Sequence, residues 1–148
     1  MKFPSACPEI PVSDLAAAVA YYRDQLGFNI DWAEEQLGLA CLSRGDTRIF
    51  MSTDEYRSAL GIRGPIVLWL NLSDRAEVDA LHAQWASAGA RIADPPEAKP
   101  YNKLYEFFAQ DLDGNYFRVF YDFAWEEKEE RSAEQGRIHM RPGRPARS

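Results

Sequence analysis

Residues 12–28 read VSDLAAAVAYYRDQLGF, and about 60 residues further on the chain repeats the pattern as LSDRAEVDALHAQWASAGA (72–90). In both, an apolar residue leads into Ser-Asp, a helical pattern follows, and a Gly closes it. Short oxygen-bearing side chains accept hydrogen bonds from the first-turn N–H groups, so Ser13-Asp14 and Ser73-Asp74 mark helix starts. Leu15, Val19, Tyr22 and Leu26 share one helix face, as do Val78, Leu81, Trp85 and Ala88. Gly27 and Gly89 stand where a helix end takes a left-handed residue.

Strand material follows each helix: ACLSRGDTRIFMS (40–52) in the first copy, YEFFAQDLDGNYFRVFYD (105–122) in the second. Arg44-Gly45-Asp46 and Asp113-Gly114-Asn115 are turn signals between apolar runs, because Gly and Asn tolerate positive φ. The pattern predicts an α+β domain over residues 1–123, built as two tandem βαβββ modules at about 3–52 and 64–123. One module cannot cover both sides of its sheet, so the two must pair, and two curved sheets side by side leave a concave cavity. TDEYRSALGIRG (53–64) reads as a polar linker. ADPPEAKPYNK (93–103) reads as a loop, since three prolines exclude a helix or a central strand. Residues 124–148 read as a charged extension with a disordered end.

A chain of 148 residues, 46% hydrophobic and 27% charged, is ordinary for one globular domain with a real core. No apolar run approaches the ~20 residues of a membrane helix, and the start has no secretory h-region, so neither membrane nor export is expected. Residues 124–148 carry five acids and six bases, which leaves −7 of the total −6 on residues 1–123. Such a body repels nucleic-acid phosphates and attracts cations. Cys7 and Cys41 fall in strand-like stretches and read as free buried thiols of a reducing compartment, the cytoplasm.

One residue breaks the apolar pattern. After the turn at 113–115, Phe117, Val119, Tyr121 and Phe123 alternate with Tyr116, Arg118, Phe120 and Asp122. A cation in mid-strand among aromatics is costly unless a partner neutralises it or a wet cavity borders it.

The stretches PEIPVSDLAAAVAYYRDQLGF (8–28), WLNLSDRAEVDALHAQWASAGARI (69–92) and YEFFAQDLDGNYFRVF (105–120) together resemble the glyoxalase/bleomycin-resistance/extradiol dioxygenase superfamily, the vicinal oxygen chelate proteins. The first stretch is most similar to the bleomycin-resistance branch. The resemblance implies that superfamily's fold and cavity. Its enzymes hold a metal through a His on the first strand, a His opening the second module and a Glu on the last strand. Those positions fall here near Cys7, Val67 and Arg118, which do not make a metal site, and neither His82 nor His139 replaces them. The resemblance therefore implies a pocket kept without metal, cofactor or catalytic residue, with Arg118 facing the cavity. There Arg118 either pairs with an acid or meets an anionic or carbonyl group of a ligand.

In the bleomycin-resistance branch, aromatics and acids hold the ligand in a groove between two subunits. The matching residues are Trp32, Glu34, Glu35, Leu37 and Trp69, with Tyr101 and Tyr105 closing the groove; Trp69 is open to either a core or a pocket role. The branch's aromatic-Gly-x-Arg-Glu-Phe run is replaced here by YNKLYEF (101–107). The resemblance implies a homodimer that sequesters a flat aromatic ligand, cationic like a bleomycin or, as Arg118 suggests, anionic. The alternative is a glyoxalase-like lyase, isomerase or dioxygenase with an atypical site.

Overall fold

In the computed structural model, which describes residues 1, 5–57, 64–126 and 132, each module folds as the repeat predicts. The first contains β1 (Glu9–Pro11), α1 (Leu15–Asp24), β2 (Asn29–Glu34), β3 (Leu39–Arg44) and β4 (Thr47–Ser52). A short helix α2 (Asp54–Arg57) follows. The second module contains β5 (Val67–Asn71), α3 (Arg75–Ser87), β6 (Arg91–Lys99), β7 (Leu104–Gln110) and β8 (Tyr116–Asp122). The strands form two four-stranded sheets with matching orders, β1-β4-β3-β2 and β5-β8-β7-β6. In each, the first strand runs parallel to the last and the remaining pairs are antiparallel.

Asp14 and Asp74 cap the two helices, accepting from Ala17 N at 3.0 Å and Glu77 N at 2.8 Å. Gly27 (φ +76°) and Gly89 (φ +82°) end them in the left-handed conformation. Leu15, Tyr22, Leu26, Val78 and Trp85 are buried, whereas Ala88 ends its helix exposed. The modules share one core through these helices. Tyr22 of α1 packs its ring 5.9 Å from Phe117 of β8, and Trp85 of α3 donates from Nε1 to Leu26 O at 3.0 Å.

A buried carboxylate locks this arrangement. Asp111, at the start of the β7–β8 turn, accepts from Asp113 N and Asn115 N, from Asn115 Nδ2, and from the Tyr22 hydroxyl at 2.8 Å. Asn115 Nδ2 also donates to Pro11 O, and Asp113 accepts from the N–H and hydroxyl of Ser13. The turn of the second module is thus bonded to the entry of α1 in the first.

Three expectations change. Residues 93–99 of the supposed loop belong to β6, an edge strand whose register slips between Asp94 and Glu97. Pro95 and Pro96 fall in that slip, the place where a sheet tolerates residues without an N–H. The start of the 53–64 linker is α2, held by Arg57, which is buried and bonded to Ser52 O and Asp54. Cys41 is buried on β3, but Cys7 is exposed and precedes β1. Apart from 124–126 and 132, the C-terminal extension with His139 lies outside the described residues.

Candidate functional site

Alternation along β8 sends Phe117, Val119 and Tyr121 into the core and turns Arg118 to the opposite face of the sheet. The β7–β8 register sets Phe108 opposite Arg118 and Glu106 opposite Phe120, while parallel β5 sets Trp69 on its other side. Arg118 therefore lies between two rings, its guanidinium carbon 4.4 Å from the Trp69 centroid and 5.1 Å from that of Phe108. It donates to both oxygens of Glu106, Nε to Oε2 at 2.7 Å and Nη2 to Oε1 at 3.0 Å. This is the planar fork matching a carboxylate, which a lysine could not supply.

The Glu106 side chain is 1% exposed and that of Arg118 20%. Hydrogen bonding to Glu106 raises the Arg118 pKa, against burial, which lowers it. Of the two roles open to Arg118, pairing with an acid is the one the fold builds. The face so formed is charge-neutral and aromatic. Trp69, 57% exposed, extends it with an edge-on contact to Phe120 at 5.4 Å.

The first sheet carries a smaller counterpart on its face away from the helices. Trp32 packs 6.1 Å from Phe50, and Arg48 sits 5.7 Å over the Phe50 ring while its Nε donates to Cys41 Sγ at 3.2 Å. Asp31 accepts from Ser43 Oγ at 2.9 Å beside it.

Trp32 and Trp69 are thus surface residues of the two aromatic faces, which places Trp69 outside the core. Glu34 ends β2, and Glu35 and Leu37 occupy the β2–β3 turn, all exposed. Tyr101, in the turn before β7, is exposed. Tyr105 departs from expectation. It is on the helix side of β7, donating to Asp79 Oδ1 of α3 at 2.6 Å beneath the Arg75 guanidinium. Odd and even positions of a strand face opposite ways, so Tyr105 cannot share a face with Glu106.

Glu106, Phe108, Phe50 and Arg48 escaped the sequence reading, which set Phe120 on the face of Arg118 without its neighbours. The signal for the first two was present: counting outward from the Asp113-Gly114-Asn115 turn pairs 108 with 118 and 106 with 120.

The family metal does not fit these residues. Cys7 is exposed ahead of β1, Val67 offers no donor, and Arg118 occupies both oxygens of the nearest carboxylate. Among the described residues no three of His, Cys, Asp and Glu gather as a metal site. His82 packs on Phe107, ring centroids 5.2 Å apart. No described helix is long and apolar enough to cross a membrane.

Comparison with solved structures returns the same architecture. A bleomycin-binding protein from the bleomycin-producing Streptomyces verticillus, solved with copper(II)-bleomycin, is 29% identical, covers 80% of this chain and 96% of its own, and superposes with a TM-score of 0.61. A glyoxalase/bleomycin resistance protein/dioxygenase from Nocardioides (17% identity, 99% of this chain and 92% of its own, TM-score 0.68) shares the fold. So does a lactoylglutathione lyase from Agrobacterium tumefaciens (24% identity, 84% and 98%, TM-score 0.66). No curated protein matches the sequence. The family model matches residues 6–119, and the chain belongs to the Glyoxalase/Bleomycin resistance protein/Dioxygenase superfamily.

Proposed function

We propose that this protein is a metal-independent binding protein of the cytoplasm, a homodimer that sequesters a flat aromatic small molecule of the bleomycin type without transforming it. The observation carrying this is the Arg118–Glu106 pair between Trp69 and Phe108. The pair ties up the carboxylate that a metal would need and leaves a neutral face of rings. A cationic ligand meets no net repulsion from Arg118 there, and the −7 body favours its approach. Stacking on one Trp adds roughly 0.5–1.5 kcal/mol beyond area burial. Two such contacts with apolar burial can reach the ~8 kcal/mol of micromolar affinity. The bleomycin-binding neighbour at 29% identity supports the choice of ligand class.

The dimer is part of the proposal. β1 and β5 end their sheets, with Val67 and Trp69 exposed on β5, and an open apolar edge is a liability unless covered. The test is a tryptophan-fluorescence titration with metal-free bleomycin and with small aromatic cations and acids. Saturable binding is expected, about tenfold weaker in Trp69→Ala. The reading fails if no flat aromatic compound saturates the signal. It fails equally if purified protein keeps one equivalent of divalent metal and turns over a thioester or catechol substrate.

A further inference from the structure

A second concavity lies on the helix side, away from the Arg118 face. It is a cleft of about 650 Å³ between α3, β5 and the β3–β4 turn, within the roughly 300–1,000 Å³ of small-molecule pockets. Phe28, Leu70, Leu81 and Trp85 form apolar lining, and Arg44 and Gln84 stand at one end. Trp69 lines it as well, but Arg118, Glu106 and Phe108 do not.

Arg44 is the informative residue. Its Nη1 donates to Leu26 O and its Nη2 to Gln84 Oε1, both at 2.6 Å. Both acceptors are uncharged, and among the described residues no carboxylate is bonded to Arg44. The Leu26 carbonyl already accepts from Trp85 Nε1 at 3.0 Å, so the helix end has a neutral donor without Arg44. The two bonds orient the guanidinium and leave further N–H groups for a ligand.

We infer that this cleft is a second binding site, taking an amphipathic monocarboxylate whose carboxylate meets Arg44 and whose apolar body lies over Leu70, Leu81 and Trp85. Polarity along the cleft sets the orientation. Glu77 lines it too and accepts from Ser73 N at the start of α3, seven residues before Gln84. At 1.5 Å per residue the two polar ends are about 10 Å apart, the span of a medium-chain acid. Glu77 repels a second anion at its end, so one carboxylate is accommodated and not two.

The probes are decanoate, decanol and decyltrimethylammonium below their aggregation limits, followed by tryptophan fluorescence and equilibrium dialysis on the full chain. Decanoate should bind one per chain, at least tenfold tighter than the other two. Arg44→Gln should weaken decanoate about tenfold and leave decanol unchanged. Ala80→Trp, at an exposed α3 position lining the cleft, should fill it and abolish binding even if Arg44→Gln folds poorly. Glu106→Leu/Arg118→Met, on the other face, should bind decanoate like the parent. Equal affinity for acid and alcohol would overturn the inference, as would binding that survives Ala80→Trp but is lost in the Glu106/Arg118 variant. A mass by light scattering that falls from dimer to monomer on Ala80→Trp would also overturn it, making the cleft a contact between copies.

Discussion

Glu106 decides what can be changed at Arg118. With its side chain 1% exposed, that carboxylate depends on the guanidinium for both of its oxygens. Arg118→Ala strands a buried charge and should cost about 2–4 kcal/mol in denaturant unfolding, below the full buried-pair loss because Arg118 is partly solvated. Replacing both, as Glu106→Leu/Arg118→Met, should return stability to within about 1 kcal/mol of the parent, since apolar packing substitutes well for a buried pair. A double variant as unstable as Arg118→Ala would show that the pair itself, and not the orphaned charge, holds the strands.

Tyr22 gives the protein a pH limit. Burial, then the neighbouring Asp111 carboxylate, push its phenol well above the usual 10.0. The unfolded chain would lose that proton near pH 10 while the folded chain keeps it. The stability contribution is thus complete below pH ~10 and falls as pH rises above it, by about 1.4 kcal/mol per pH unit. Tyr21, raised mainly by burial, and Tyr105, raised mainly by its bond to Asp79, steepen the same limb. Tyr22→Phe should lower stability by about 1–2 kcal/mol at neutral pH, by removing a donor to Asp111, and make the alkaline limb shallower by one proton. Unfolding free energies from about pH 9 to 11 that keep the parent slope would contradict this assignment.

At the scale of elements, two glycines separate backbone strain from side-chain crowding. Gly27 ends α1 at φ +76°, and a Cβ there would come 2.9 Å from Arg44 Nη1. Gly45, in the β3–β4 turn at φ +56°, has nothing within 4 Å of that position. Gly45→Ala should cost about 1 kcal/mol from conformation alone, and Gly27→Ala about 2. The excess should disappear when Gly27→Ala is combined with Arg44→Gln; if it persists in thermal melts, the guanidinium is not its cause. The helices were legible because Ser-Asp starts, apolar spacing and closing glycines are local signals. β6 was not: prolines are a local veto, whereas an edge strand is created by the β7 neighbour that pairs with it on one side only.

At the scale of the molecule, two sheets meet through one helical core and leave β1 and β5 as sheet ends. The proposed dimer is checked by light scattering at micromolar concentration, where the mass of two chains is expected. Trp69→Glu, charging the exposed β5 edge, should shift it toward one chain with the parent circular dichroism retained. Dialysed protein should hold far less than one divalent metal per chain by elemental analysis, because Cys7, Val67 and Arg118, which the resemblance sets near the superfamily's ligand positions, do not make a metal site.

Repetition, turn chemistry and the His-His-Glu substitutions are written in the order of residues, and from them the α+β modules and the family followed without coordinates. Register and facing are different in kind. Whether Trp69 was core or surface, whether Arg118 had a partner, and whether Tyr105 shared its face all turned on which strand lay alongside. The Arg118–Glu106 pair spans twelve residues of sequence but one hairpin rung and its diagonal. The Arg44 cleft joins residues 28, 44, 70 and 85, from both modules. Local preferences specify elements; only packing decides which side chains from distant elements share a surface, because burial and charge pairing are properties of neighbours in space.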